Sequence, residues 1–281
     1  MKTIPALILL LSLAHSLPAE DNPTIIRLKG RPVFDYWHDA VAFKPYVAQL
    51  YTAGGVAVLR DNVPDHKHHH GLMFAVGVNG VNFWEELHTA GRQVSRKLAT
   101  HDDGITQQLD WTGPNGPVLL SEERSVRSHP GPVTVLTWRS RLQPNGEVKL
   151  TGSHYFGLGL RFAATMDRIG TFTNSANARV DVVQGDERLV TAKWCAYTDQ
   201  KVTVALFDHP DNLRYPARMF TMAKPFAYLS ATLNLWKEPF TLKPEKPLDL
   251  RYGVAAWDGA QTAEQIEQLY RSWLEETSHS E

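Results

Sequence analysis

Asp65-His66-Lys67-His68-His69-His70-Gly71 is the densest run of ionisable side chains in the chain. Imidazoles exchange protons near neutral pH, ligate transition metals and trade hydrogen bonds with hydroxyl groups. The run is therefore compatible with a metal site, with acid/base catalysis or with recognition of sugar hydroxyls. If the segment is extended, His66, His68 and His70 fall on one side and Lys67 and His69 on the other, so two or three rings can converge. A metal needs a third ligand beyond an H-x-H pair, and no carboxylate follows until Glu85 and Glu86. No metal or other cofactor is assigned on this pattern, and solvated loop histidines beside Lys67 are the plain alternative.

Three further stretches carry chemistry. Asn79-Gly80-Val81-Asn82-Phe83-Trp84-Glu85-Glu86 sets an aromatic pair beside two carboxylates, with Asn82, Trp84 and Glu85 as candidate parts of a sugar site. In a strand Glu85 and Glu86 point to opposite faces, so at most one enters a pocket. Arg161 stands in the otherwise apolar run Gly157 to Ala164, where a guanidinium must find an acceptor: a structural carboxylate such as Asp208, or a ligand oxygen. Asp208-His209-Pro210-Asp211-Asn212 opens a proline-bounded loop, where Asp208 next to His209 can orient an imidazole or bind a sugar diol; it is equally a good turn sequence.

These residues need a scaffold, and the sequence predicts strands. Thr24 to Leu28, Val47 to Tyr51, Val56 to Arg60, Leu72 to Val78, Gln107 to Trp111, Val133 to Arg141, Val148 to Tyr155, Arg188 to Trp194 and Val202 to Phe207 are strand-like, most of them with β-branched or aromatic residues at period two. Asn79-Gly80, Asp103-Gly104, Asn115-Gly116 and Asn145-Gly146 are dipeptides that suit tight hairpins. Only the end is helical: Ala263, Ile266, Leu269, Tyr270, Trp273 and Leu274 recur at helical spacing, with Asp258 or Thr262 as N-cap and Gln261 or Gln265 three residues on. The expected fold is mostly β, a large antiparallel β-sandwich with a C-terminal helix.

Lys2, the apolar run Ile4 to Ala14 and the small residues of Ala14-His15-Ser16 form a signal-peptide pattern, so residues 1–19 are expected to be removed. Residues 20–281 are then one β-sandwich domain, periplasmic or secreted. No later stretch is apolar enough to insert in a membrane. Basic and acidic residues number 29 and 30, which leaves no electrostatic footprint for nucleic acid. Cys195 is the only cysteine, so no disulfide framework exists and stability rests on the core.

Five motifs in order, Asp65-His66-Lys67-His68-His69-His70-Gly71-Leu72, Val78-Asn79-Gly80-Val81-Asn82-Phe83-Trp84, Gly159-Leu160-Arg161, Trp194-Cys195-Ala196-Tyr197 and Asp208-His209-Pro210-Asp211-Asn212 to Tyr215-Pro216, carry a resemblance to a secreted bacterial family labelled methane-oxygenase (PmoA)-like. The label is not a mechanism, because the membrane subunits of methane oxygenases are helical. The resemblance implies a galactose-mutarotase-like supersandwich that works on carbohydrates. This chain departs from the pattern at His70, where arginine is expected. Ser153-His154-Tyr155-Phe156-Gly157-Leu158 is similar to the H-P-Y-F-x-L stretch that carries the mutarotase acid histidine, and Phe240-Thr241-Leu242-Lys243-Pro244-Glu245 to its late L-x-P-G-E strand.

The resulting expectation is an exported carbohydrate-active protein with a saccharide as its partner: an epimerase, lyase or hydrolase working by acid/base chemistry. His66, His69 and His154 are the candidate acids or bases and Glu85 or Asp208 their partner, while His68, Asn82, Trp84, Arg161, His209 and Asn212 bind the substrate. A non-catalytic carbohydrate-binding protein and a histidine-ligated metalloenzyme are the alternatives.

Overall fold

A computed structural model describes residues 23–38, 43–61, 63–64, 66–114, 116–176 and 179–278. The expected signal peptide, Asp65 and Asn115 lie outside the described residues. The period-two segments form antiparallel strands in three sheets. The largest runs in the order Thr24–Leu28, Arg31–Trp37, Tyr46–Leu50, Leu72–Ala75, Gly157–Arg161, Tyr228–Thr232, Arg218–Met222, Glu187–Thr191 and Asp181–Val182. An eight-stranded sheet faces it, ordered Thr171–Asn174, Trp194–Thr198, Val202–Asp208, Leu248–Asp258, Thr134–Pro144, Val118–His129, Gly104–Thr112 and Arg92–His101. Phe240–Leu242, Val148–Thr151, Gly77–Val78 and Val81–Asn82 make a smaller third sheet. The expected antiparallel β-sandwich with a C-terminal helix is what the structure contains.

Alternation decides what each face buries. Phe74 and Leu158, paired across the large sheet, point into the sandwich, where the Phe74 ring meets Trp111 of the opposite sheet at 6.0 Å. Val204 and Leu206 join that interior, while Ala205 and Phe207 point outward to Ile266, Tyr270 and Trp273 of the helix Ala263–Ser278. Both faces of Val202–Asp208 are thus covered, and all its residues are buried. Glu122 and Arg124 share the inward face of Val118–His129 with no exposure, and each is satisfied. Arg124 donates to both Glu122 oxygens, to Gln93 Oε1 and to Pro45 O, and Glu122 also accepts from Trp111 and Ser140. A buried pair of this kind persists only when every donor and acceptor is used.

Several expected elements differ. Val56 to Arg60 is not a strand: Gly55, at φ +87°, closes a turn, and the segment makes only the isolated bridges Ala57 to Tyr51 and Leu59 to Phe162. The Gln49 amide takes the place of a ladder neighbour, accepting from Leu59 N and donating to Leu59 O, both at 2.9 Å. Arg188 to Trp194 divides into strands of two different sheets, as does Leu72 to Val78, and Val148 stops at Thr151. Asn145-Gly146 joins strands of different sheets and is no hairpin, whereas Asn79-Gly80, with φ of 50° and 81°, closes one. Thr262 caps the helix in a reciprocal box with Gln265. Asp258 instead accepts from Thr52 Oγ1 and Gly54 N.

Candidate active site

The histidine segment is a turn, not a strand. His69 N donates to His66 O at 2.9 Å, which folds the two rings into a stack with centroids 4.7 Å apart. His66, His68 and His69 therefore share one side, and the expected alternation that groups His66, His68 and His70 does not occur. These three rings roof a cavity of about 400 Å³. Its floor is the outer face of the large sheet, with Phe220, Met222 and Tyr228, and its walls are Phe226, Glu85, His154, Tyr155, Gln184 and Glu187.

Each group in the cavity is held by a neighbour. Asn82 Oδ1 accepts from the backbone N–H of Trp84 and Glu85, bending the chain after its hairpin, and Asn82 Nδ2 donates to Glu85 Oε2 at 3.2 Å. The Tyr155 hydroxyl, whose pKa burial raises, donates to the other Glu85 oxygen at 3.4 Å. Across the cavity His154 Nε2 lies 3.1 Å from Glu187 Oε2, and its Nδ1 3.3 Å from Ser153 Oγ. Arg161 is 1% exposed, lies 3.3 Å above the Phe226 ring and donates from Nη1 to His69 Nδ1 at 3.1 Å. A guanidinium only donates, so His69 carries its proton on Nε2. Burial, then His68 and His66, then the Arg161 charge push His69 down to about 2. Burial likewise takes His68 down to about 4, with Lys44 second. Both rings are neutral at pH 7 and serve as hydrogen-bonding groups.

His70 turns the other way. Its Nδ1 meets Asp61 Oδ1 at 2.5 Å and its Nε2 meets Glu86 Oε1 at 2.8 Å, while Tyr46 stacks on the ring at 4.2 Å and donates to Asp61. Lys44, wholly buried, donates to Glu86 and to Trp84 O. Burial opposes charge on His70 and on Glu86. Hydrogen bonds override it: those to Asp61 and then Glu86 raise His70, and His70 with Lys44 takes Glu86 down to about 2. His70 thus spans two carboxylates as a planar cation does.

The structure brings His66, His68, His69, Glu85 and His154 into the cavity, with Asn82 and Arg161 behind Glu85 and His69. Trp84 is fully buried against Phe156, 5.2 Å away, and does not line it. Trp84 and the Tyr228 hydroxyl close over Gly159, where a Cβ would stand 2.0 Å from the Tyr228 oxygen. Asp208, His209 and Asn212 are elsewhere. Asp208 accepts from Asn212 Nδ2 and Ala217 N, both at 2.7 Å, and so is not the Arg161 partner. His209 packs on Trp273 of the helix, and Asn212 also ties Arg251 through its backbone. The turn chemistry of that loop serves helix docking. Sequence reasoning missed Glu187, Gln184 and Phe226, which adjoin no motif and reach the cavity only by strand pairing and loop placement. Among the described residues no group of three His, Cys, Asp or Glu converges as metal ligands, and no helix is long and apolar enough to cross a membrane.

The chain is thus a β-sandwich protein whose large sheet carries on its outer face a cavity of imidazoles, carboxylates and aromatic rings. The chain belongs to the family of unknown function DUF6807, whose model matches residues 24–271. No curated protein sequence matches the chain. Among solved structures, a putative mutarotase (YeaD) from Salmonella typhimurium is similar at TM-score 0.40 and 10% identity, over 84% of this chain and 97% of that one. Polysaccharide lyase BACCELL_00875 is similar at 0.40 and 10%, over 81% and 33%. The GH36 α-galactosidase AgaA from Geobacillus stearothermophilus is similar at 0.38 and 12%, over 80% and 32%. The chain spans about a third of the length of the latter two.

Proposed function

We propose that this is an exported carbohydrate-active protein that performs acid/base chemistry on a saccharide held in the His66–His69 cleft. The observation that carries the reading is the meeting, in one cavity of about 400 Å³, of two separately buttressed carboxylates: Glu85 with Asn82 and Tyr155, and Glu187 with His154. The volume suits a small ligand, since such pockets span roughly 300–1,000 Å³. Phe220 and Phe226 offer apolar surface to a sugar ring, while the neutral His69 donates Nε2–H to a ligand oxygen and the Arg161 charge behind it favours negative charge there. Glu85 takes a proton from one side and His154, oriented by Glu187, returns one from the other, a division of labour that epimerase, lyase and hydrolase chemistry share.

Non-catalytic saccharide binding is the second reading, favoured by the neutrality of His68 and His69. Free aldoses, uronides and glycosides incubated with the purified protein and followed by NMR decide between them. Turnover of one class, lost in Glu85→Gln and His154→Ala, is the expected result. Binding without turnover selects the second reading, and no binding of any saccharide overturns both.

A further inference from the structure

A second concavity, of about 540 Å³, adjoins the cleft along the same sheet face. The strands beneath prove the continuity. Arg218, Phe220 and Met222 alternate onto one face of their strand, and Glu187 and Leu189 onto the matching face of its neighbour, in the pairs Glu187 to Met222, Leu189 to Phe220 and Thr191 to Arg218. Glu187, Phe220 and Met222 line the cleft, while Leu189 and Arg218 line the groove. Trp236 stands at the junction, its ring 5.9 Å from that of His154 and 42% exposed.

The groove is cationic where the cleft is not. Lys237 lies 4.9 Å from the Trp236 ring centroid, and Arg218 Nη2 meets Asp181 Oδ2 at 2.8 Å. Arg179 also lines the groove, so three cations surround one carboxylate, itself 61% exposed. The cleft presents Glu85 and Glu187, which repel an anion. A half-exposed indole flanked by cations is the surface that a sugar ring bearing an acidic group fits, with the ring on the aromatic face and the anion on the cations.

We propose that the groove of Trp236, Lys237, Arg179 and Arg218 is a second sugar subsite, and that the saccharide served by the cleft is an acidic oligosaccharide whose charged unit lies there. The inference rests on the cleft reading above.

Binding is measured by calorimetry with a galacturonic acid trisaccharide, a sulfated disaccharide and neutral cellotriose, on the wild type, Trp236→Ala, Arg179→Gln/Lys237→Gln, Arg179→Lys/Lys237→Arg and Glu85→Gln/His154→Ala. The acidic ligands should bind at least tenfold more tightly than cellotriose, and the uronate and sulfate arms identify the anion. Trp236→Ala and the Gln double variant should each lose about tenfold for acidic ligands only, while the charge-conserving variant retains affinity. Equal binding of acidic and neutral ligands, with the Gln variant unchanged, overturns the subsite and leaves the cleft reading standing. If Glu85→Gln/His154→Ala still turns over an acidic ligand at the wild-type rate, it is the cleft reading that fails.

Discussion

Arg161 Nη1 donates to His69 Nδ1 at 3.1 Å, so a buried cation fixes the tautomer of the histidine whose other nitrogen serves the cleft. Nitrogen NMR of histidine-labelled protein should show His69 protonated on Nε2 and unchanged between about pH 8 and about pH 5, well above its depressed pKa. A His69 signal titrating near the ordinary value sinks this assignment.

His69 and His68 also set the acid limit of the fold. Unfolded histidine titrates near ~6.5. Folded His68 and His69 do so at about 4 and about 2. The unfolded state therefore binds more protons below about pH 6.5, and stability is full above that value and falls with acid. Urea midpoints should drop from about pH 7 to about pH 4, and His69→Gln should flatten the slope.

The His70 bridge acts in the opposite sense. Its folded pKa is raised, so its contribution is complete below about pH 6.5 and is lost as pH rises through the folded value. His70→Ala leaves Asp61 and Glu86 without their shared partner and should cost about 3–5 kcal/mol by denaturant titration. His70→Arg should keep the bridge and remove the alkaline loss.

Asp208 is predicted to be structural. Asp208→Ala strands the Asn212 amide and the Ala217 N–H, so unfolding should become easier by about 2–4 kcal/mol while saccharide binding in the cleft is unchanged. Burial raises its pKa to about 7 against those two hydrogen bonds. Its contribution is therefore present below about pH 4 and lost as pH rises through about 7. The variant should lack that loss in thermal melts, and any tenfold change in ligand affinity would contradict the structural role.

Glu187→Gln keeps a hydrogen-bond partner for His154 but replaces the carboxylate that orients it by a neutral amide. Turnover should fall about 10²-fold or more, with Kd for substrate nearly unchanged. Equal losses in binding and turnover would make Glu187 a ligand contact only.

The strands were legible wherever alternation was uninterrupted, as in Thr24–Leu28 and Val202–Asp208, because period two is a local property. The capping box at Thr262 was legible for the same reason. Val56 to Arg60 carries the pattern too, but Gln49 takes both backbone groups of Leu59 and only isolated bridges form. The histidine run announced a site without its geometry. Whether His70 or His68 faces the cavity depends on a turn and on two carboxylates 9 and 16 residues from His70, Asp61 and Glu86. Glu187 carries no signal of its own, and sheet register alone delivers it to Met222 and the cleft.

His69 and Glu85 face the cleft, while the next residue of each, His70 and Glu86, joins the buried bridge. Two stretches 16 residues apart are thus riveted back to back through consecutive side chains. A one-residue insertion or deletion in either would exchange a cleft group for a bridge group and disable both at once. The contact of His70 with Glu86 therefore ties the roof of the cleft to its Glu85 wall.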